Sequence, residues 1–223
     1  MDSDNSRRLG ALRIRQTQGM AWTDPKSAQT YGRELLQGER VRLRPLHEDD
    51  LAELERWWND PVETVLQSNK VLPRPDGWAS GLIRAWSSND KSSGGGFSIE
   101  SLAEKRLVGH LSLSGADVTT RCADFAIIIG AEHQGRGFGS EAIRMALRYG
   151  FDEMGLHRIQ LAVWAYNERA IGAYAKAGFR EEGHRREVVF HDGMFHDEVL
   201  MAILEQEWRG YARPTAVVPR GEP

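Results

Sequence analysis

Hydrophobic and polar positions along the chain alternate between strand-like and helix-like segments. Short apolar or alternating runs, typical of strands, lie at residues 40–44, 97–102, 107–114, 123–129, 159–165, 180–190 and 198–205. Apolar residues at helical spacing lie at residues 47–59, 78–86, 138–154 and 167–177. This order predicts an α/β (α+β) domain, with a mixed sheet of about seven strands flanked by about four helices.

The most regular helix pattern follows residue 138 and is bounded by clear signals. Its apolar stripe comprises Ile143, Ala146, Leu147, Gly150, Phe151 and Met154. Gly155 ends it, as glycine commonly does at a helix C-terminus. Asn167 is a good N-cap for the next helix, which we expect to end at Ala177 before Gly178. The last two strands are joined by a turn at His191-Asp192-Gly193.

A glycine-rich turn separates the strand that ends at Ile127-Ile128-Ile129 from the long helix. Gly135, Gly137 and Gly139 occupy alternate positions there. They let the backbone approach a ligand closely, and the unpaired N–H groups of the helix start bind phosphate well. The run lacks the Gly-Lys-Ser/Thr ending of a P-loop and the G-x-G-x-x-G spacing of a dinucleotide fingerprint. A turn that binds nothing is the alternative interpretation.

Composition and charge exclude several classes of protein. The formal charge is −3 over 223 residues, and no basic helix face argues for nucleic acid. The single cysteine, Cys122, rules out an intramolecular disulfide and a cysteine-rich metal site. No apolar run is long enough to span a membrane, and the first residues show no secretory signal, so we expect a cytoplasmic protein.

The pattern divides the chain into an extension, residues 1–37, a domain, residues 38–208, and a tail, residues 209–223. The extension is polar with scattered apolar residues. These residues are expected to pack either on the same domain or on a second subunit.

Two motifs, about 30 residues apart, resemble the GNAT acetyltransferases. Gln134-Gly135-Arg136-Gly137-Phe138-Gly139 is similar to the Q/R-x-x-G-x-G/A motif of that family. Residues 167–179 resemble its second signature, an N-x-x-A-x-x-x-Y-x-x-x-G-F helix. Residues 190–197 and Leu43-Arg44-Pro45-Leu46 are similar to the branch of the RimJ/RimL and spermidine acetyltransferases. The resemblance covers residues 38–208.

The resemblance implies a twisted, mostly antiparallel sheet and an acetyl-CoA donor, with no metal. It places the pyrophosphate on the backbone N–H groups of residues 134–140 and the pantetheine arm beside the preceding strand. The cofactor-binding residues it implies are Ile127, Ile128, Ile129, Gln134, Gly135, Arg136, Gly137, Phe138, Gly139, Ser140 and Asn167. Asn167 is also explained as an N-cap without any ligand, and the two roles can coexist.

Tyr174 lies where many members of the family have a general acid. A thiolate leaves during acetyl transfer, and a phenol can return its proton. The alternative is a buried aromatic on an amphipathic helix, which its neighbours Ala170, Ile171 and Ala177 also fit. Asp124 is the candidate general base, but a strand-edge carboxylate in a salt bridge explains it at least as well. Glu100 and Glu132 are weaker candidates, so the base stays unassigned.

Other suggestive residues have ordinary explanations beside the functional ones. The cluster of His184, His191, His196, Asp192 and Asp197 lacks a known metal-ligand spacing. The adjacent Trp57 and Trp58 are expected either to line a pocket for the acceptor or to belong to the hydrophobic core. The acidic run Glu48-Asp49-Asp50 suits a polyamine or a helix N-terminus equally.

The sequence therefore predicts an N-acetyltransferase that moves acetyl from acetyl-CoA to a primary amine, by direct attack in a ternary complex. The acceptor is a protein N-terminus or a small molecule. A polyamine is the lesser option, because residues 57–90 carry few carboxylates. The alternative is a catalytically silent acyl-CoA-binding module. The resemblance to a family whose members commonly form dimers favours a homodimer, as do the apolar residues scattered through the extension.

Overall fold

A computed structural model describes Trp22 and residues 24–211. Within this part the chain forms a seven-stranded sheet, whose strands are β1 (Val41–Arg44), β2 (Gly95–Ser101), β3 (Leu107–Ser114), β4 (Cys122–Ile129), β5 (Arg158–Trp164), β6 (Arg180–His191) and β7 (Met194–Leu204). The described α-helices are α1 (Pro25–Leu35), α2 (Leu51–Asn59), α3 (Pro61–Gln67), α4 (Trp78–Trp86), α5 (Phe138–Asp152), α6 (Glu168–Lys176) and α7 (Glu205–Tyr211).

The strands lie in the order β1-β2-β3-β4-β5-β7-β6. Every neighbouring pair is antiparallel except β4 and β5, which are parallel. The chain reaches β5 from β4 through α5, the helical crossover that a parallel pair requires. The expectation of a mixed, mostly antiparallel sheet flanked by helices is confirmed.

Two apolar clusters cover opposite faces of the sheet. On one face α5 contributes Ala142, Ile143, Ala146, Leu147 and Phe151 to the main core, as its apolar stripe predicted. On the other face α2 and α4 pack in a smaller cluster that includes Trp57 and Ile128. Because successive residues of a strand face opposite sides, Ile127 and Ile129 pack towards the α5 side, while Ile128 packs towards α2 and α4.

The turn between β6 and β7 forms as the sequence predicted, although both strands extend closer to it. Asp192 and Gly193 have φ values of 50° and 74°, the left-handed pair that a two-residue hairpin turn requires.

Three helices lie outside the four segments with a clear sequence pattern. Pro61 follows the end of α2, and it is also the first residue of α3, whose N-cap Asp60 accepts from the N–H of Val62. Proline suits this position because its missing N–H would have no helical partner. The predicted strand 198–205 ends at Leu204, and α7 begins at Glu205.

The described part of the extension packs on its own domain. In α1, the Tyr31 hydroxyl lies 2.5 Å from a carboxylate oxygen of Glu153, the C-cap residue of α5. Arg148 of α5 donates to the Glu34 carbonyl at 3.0 Å. The rest of the predicted extension, residues 1–21 and 23, and residues 212–223 of the predicted tail lie outside the described residues.

Candidate functional site

The parallel pair at the centre of the sheet separates along its length. Only Cys122, Ala123 and Asp124 of β4 are in register with β5, at Arg158, Ile159 and Gln160. Beyond that point residues 125–129 keep their pairing with β3 but have none with β5. The strands therefore open a cleft, and one edge of β4 is left without a neighbouring strand along residues 125–129.

This cleft has a volume of about 1110 Å³ and lies between the two halves of the sheet. Its walls come from β4, β5, α6, the glycine-rich turn, and α3 with the neighbouring ends of α2 and α4. The sequence-predicted residues that line it are Ile127, Ile128, Ile129, Gln134, Gly135, Gly137, Phe138, Gly139, Ser140, Asn167 and Tyr174. Of the predicted site, only Arg136 is not part of the lining.

The glycine-rich turn presents the start of α5 to the cleft. Gly135 and Gly137 have φ values of 73° and 82°, in the left-handed region that favours glycine. Gly137 is the N-cap and provides no capping side chain, so the first N–H groups of the helix are available to an anion.

The turn is held from behind by the segment before β1. Arg40 donates through Nη1 to the Arg136 carbonyl at 3.2 Å. A Cβ on Gly137 would lie 2.4 Å from that nitrogen. The buried Glu141 carboxylate of α5 accepts from the backbone N–H groups of Glu39 and Arg40. These contacts fix the turn relative to β1.

The side chain of Arg136 does not point to the cleft. Its guanidinium forms an ion pair with Glu104 and lies 4.7 Å from the centre of the Phe138 ring. A different cation is nearby, because Arg169 of α6 lines the cleft and donates to the Gln134 side chain. Sequence reasoning missed Arg169, although it belongs to the second motif.

Asn167 has one of its two expected roles in the structure. Its side-chain oxygen accepts from the Ala170 N–H at 3.2 Å, so it caps α6. Its amide nitrogen has no hydrogen-bond partner among the described residues, so it keeps two N–H donors for a ligand.

Tyr174 of α6 faces the cleft with its ring against aromatic neighbours. The ring centres of Phe125 and Phe179 lie 6.3 Å and 5.8 Å away. Burial raises the pKa of the Tyr174 phenol to about 12, because the phenolate would lose its hydration. The phenol therefore carries its proton near neutral pH, as a general acid must.

The three carboxylates considered as a base do not line the cleft. Asp124 accepts from Gln160 at 2.9 Å, where β4 and β5 are still paired. Glu100 forms ion pairs with Arg42 and Arg44. Glu132 forms an ion pair with Arg56, outside the cleft.

An imidazole that the sequence analysis missed does line the cleft. His110 of β3 is 5 % exposed, and its Nε2 lies 2.7 Å from the Ser87 hydroxyl. Burial lowers the pKa of His110 to about 4, and the charge of Asp50 offsets this only in part. His110 is therefore neutral near pH 7 and does not repel a cation.

The two adjacent tryptophans have different environments. Trp57 is buried in the cluster of α2 and α4, whereas Trp58 lines the cleft beside Trp86. The rings of Trp58 and Trp86 are 5.3 Å apart and tilted by 51°. Of the two alternatives for this pair, a place in the core therefore applies to Trp57, and a place in the lining of the cleft applies to Trp58.

The acidic run and the histidine cluster are engaged in local contacts. Asp50 is buried and bonded to Arg44, and Glu48 pairs with Arg84. His184 bonds Glu181, and Asp197 accepts from the Glu187 N–H. Within residues 24–211 and Trp22, no group of three His, Cys, Asp or Glu side chains is arranged to hold a metal ion.

No helix in the described part of the chain is long and apolar enough to cross a membrane.

Comparison with known proteins identifies the family. The family of acetyltransferase (GNAT) domains matches residues 40–180. The spermidine N(1)-acetyltransferase of Vibrio cholerae is 41% identical over 106 residues, which span 48% of this chain and 61% of that enzyme. The [ribosomal protein uS5]-alanine N-acetyltransferase of Escherichia coli is 26% identical over 177 residues, 76% of this chain and 90% of that enzyme.

A solved structure extends the comparison to the fold. The crystal structure of spermidine N-acetyltransferase from Vibrio cholerae, in complex with CoA and spermine, matches with a TM-score of 0.68 and 31% identity. The match covers 76% of this chain and 98% of that one. The resemblance to the RimJ/RimL and spermidine acetyltransferase branch is confirmed, as is the expected class of acetyl-CoA-dependent N-acetyltransferase. The chain belongs to the GNAT acetyltransferase family.

Proposed function

We propose that this chain transfers the acetyl group of acetyl-CoA to the primary amine of a small, cationic, aliphatic molecule. The observation that carries the proposal is the cleft between β4 and β5. A helix start without a capping side chain lies at one side of it, and the aromatic Trp58 and Trp86 with the carboxylate of Glu63 line the side formed by α2, α3 and α4. The cleft thus offers separate surfaces to an anionic donor and a cationic acceptor.

The proposed donor site uses backbone groups along one path. The pyrophosphate accepts hydrogen bonds from the N–H groups of residues 134–140, and the pantetheine arm lies along the free edge of β4. The Asn167 amide donates to the pantetheine arm. A backbone N–H of β4 polarises the thioester carbonyl and stabilises the oxyanion as it forms.

The proposed reaction is a direct attack. The amine nitrogen forms a bond to the carbonyl carbon, and the carbon–sulfur bond breaks as the tetrahedral intermediate collapses. The departing thiolate takes the phenol proton of Tyr174, and the attacking nitrogen loses its proton to solvent. Its place in the lining of the cleft supports this role, and its pKa of about 12 means that the phenol holds a proton to give near neutral pH.

Small polyamine-like molecules are the first acceptors to test. The few carboxylates in residues 57–90 argued against them, but the Vibrio cholerae relatives are named spermidine acetyltransferases. The buried Glu63 of α3 also lines the cleft. A protein N-terminus is the second candidate, favoured by the similarity to the Escherichia coli uS5-alanine enzyme.

The test is an acceptor screen that measures thiol release from acetyl-CoA and identifies products by mass. The panel contains spermidine, n-hexylamine, a peptide with an N-terminal alanine, and triethylamine, which has no N–H bond to replace. Acetylated spermidine is the expected product, and triethylamine is the negative control. Turnover of the peptide alone would support the second candidate. Acetyl-CoA binding without thiol release for any amine would indicate a silent binding module and contradict the proposal.

The homodimer and the cytoplasmic location stay predictions. Phe190, Met194 and Phe195 form an exposed apolar patch near the β6–β7 turn, which a second copy of the chain could cover. The mass in solution tests the dimer, and cell fractionation tests the location.

A further inference from the structure

Five carboxylates in the described part of the chain are buried: Asp50, Glu63, Glu100, Glu141 and Glu198. Four of them have strong partners. Asp50 and Glu100 share Arg44, and Glu198 pairs with Arg185 at 2.7 Å. The carboxylate of Glu141 accepts from two backbone N–H groups. Three of these charges are paired with an arginine, and that of Glu141 is stabilised by two backbone N–H groups.

Glu63 is the exception. It is 6 % exposed, and the one hydrogen-bond donor to its carboxylate among the described residues is the neutral Gln134 amide, at 3.1 Å. No cationic group of the described chain lies within ion-pair distance of it. Neither carboxylate oxygen of Glu63 is both fully buried and unpaired, so the oxygen that Gln134 does not contact stays open to the cleft while no cation neutralises the charge. A bound cation that occupies the cleft would compensate it.

The position of Glu63 is defined on both sides. The Gln134 amide that contacts it also donates to the Ile129 carbonyl at 3.0 Å, which ties α3 to the end of β4. On the other side, the Tyr166 hydroxyl donates to the Val65 carbonyl of α3 at 2.7 Å. The short helix thus bridges the opening between β4 and the turn after β5, and it holds Glu63 at the wall of the cleft.

The surroundings of Glu63 indicate the chemical class of the cation. Trp58 and Trp86 line the same cleft with partly exposed rings. Aromatic faces attract alkylammonium groups and also cover the methylene chain that carries them. Neutral His110 adds no opposing charge.

We propose that Glu63 binds the second, non-reacting ammonium group of the acceptor. The acceptor is then an alkylamine with at least two cationic nitrogens, and a monoamine lacks the group that Glu63 compensates. This inference rests on the proposed function, because it specifies the substrate class of the same cleft. Glu63 is a specificity-determining residue in this proposal, and the transfer chemistry itself does not require it.

The test compares two acceptors of equal chain length, 1,6-diaminohexane and n-hexylamine, in the wild type and in Glu63→Gln. The wild type should prefer the diamine. Glu63→Gln should lower kcat/KM for the diamine by about tenfold or more, since a charged hydrogen bond is lost. The value for the monoamine and the KM for acetyl-CoA should stay nearly constant.

The matched control is Glu168→Gln, which removes an exposed carboxylate of the cleft lining at the start of α6. Because water already compensates this charge, the preference for the diamine should change by less than about twofold. The melting temperature of Glu63→Gln should equal or exceed that of the wild type, since the variant removes an uncompensated buried charge.

Other outcomes overturn the inference. An equal loss for both amines, or a change confined to the KM for acetyl-CoA, would mean that Glu63 only supports Gln134 and the donor site. If the wild type acetylates neither these amines nor spermidine, the proposed function fails. Calorimetry of 1,6-diaminohexane with the CoA-bound protein then tests Glu63 alone, and equal binding by wild type and Glu63→Gln rejects its role.

Discussion

The phenol of Tyr174 combines an apolar environment with access to the cleft. Its ring packs against Phe125 and Phe179, and the same burial raises the pKa to about 12. The two interpretations in the sequence analysis, a packed aromatic and a proton donor, are therefore compatible. The packing fixes the ring, and in the proposed reaction the phenol proton is available to the departing thiolate.

Tyr174→Phe keeps the ring packing and removes the proton. We expect kcat to fall by about 100-fold or more, which is typical for the loss of a general acid. The KM for acetyl-CoA should change little, because backbone groups hold the donor in the proposed site. The control is Tyr149→Phe, since Tyr149 packs against Phe97 in the core outside the cleft. Steady-state kinetics that show normal turnover for Tyr174→Phe would exclude the assigned role.

His110 couples stability to pH. Its pKa is about 4 in the folded protein against an ordinary value of 6.5, so the unfolded chain binds a proton at a higher pH than the folded one. The free energy of unfolding should therefore fall by about 2 kcal/mol as the pH drops from 7 to 5. Urea denaturation at the two pH values measures this difference.

The variant His110→Gln should lose most of that pH dependence. The exposed His157→Gln is the control and should retain it. A residual slope is expected from His133, whose pKa burial also lowers. An unchanged slope in His110→Gln would show that another group is responsible.

At the scale of elements, the glycine-rich turn is a backbone site whose shape depends on its neighbours. Gly137 has a φ of 82°, and Arg40 lies against the position where a Cβ would be. The side chain of Arg136 contributes an ion pair with Glu104 instead of a charge in the cleft. The binding of phosphate in the proposed site therefore depends on the orientation of N–H groups more than on side-chain cations.

Gly137→Ala should alter this orientation. The left-handed φ costs a non-glycine residue about 1 kcal/mol or more, and the added Cβ displaces Arg40 from the turn. We expect the KM for acetyl-CoA to rise by about tenfold, since charged hydrogen bonds to phosphate weaken, with a smaller effect on kcat.

Gly155→Ala is a matched control for backbone strain. Gly155 has a φ of 63° and open space around its Cβ position, beyond the end of α5. Both variants should lose similar stability in thermal unfolding, but only Gly137→Ala should change the KM for acetyl-CoA. Equal KM values in the two variants would contradict the phosphate role of the turn.

At the scale of the molecule, features that depend on local sequence signals could be predicted, whereas features that depend on long-range strand pairing could not. The turn after Ile129, the stripe of α5 and the Asn167 cap are local features, so the pattern located them well. The positions of His110 and Glu63 in the cleft depend on which two strands separate and on which helix bridges the opening between them. Their place in the cleft follows from the register of β3 with β4 and from the Tyr166–Val65 contact, neither of which spacing along the chain encodes.

The boundary of the domain also depended on contacts that the pattern does not show. The prediction placed the domain at residues 38–208. Leu35 of α1, outside that range, is buried. Trp208 of α7, the last residue inside it, stacks on Phe151 with ring centres 6.1 Å apart. Both terminal helices thus contribute apolar side chains to the packed structure, although neither lines the cleft.

Leu35→Ala tests whether α1 is part of the folded domain. Leu35 is 7 % exposed, and truncation of a buried leucine costs about 2 kcal/mol or more. We expect urea denaturation to show that loss, while kcat and both KM values stay unchanged because α1 lies away from the cleft. The control is Leu72→Ala, since Leu72 is 48 % exposed and its truncation should cost less than about 0.5 kcal/mol. If Leu35→Ala is as stable as the wild type, α1 does not stay packed on α5 in solution, and the domain begins at β1.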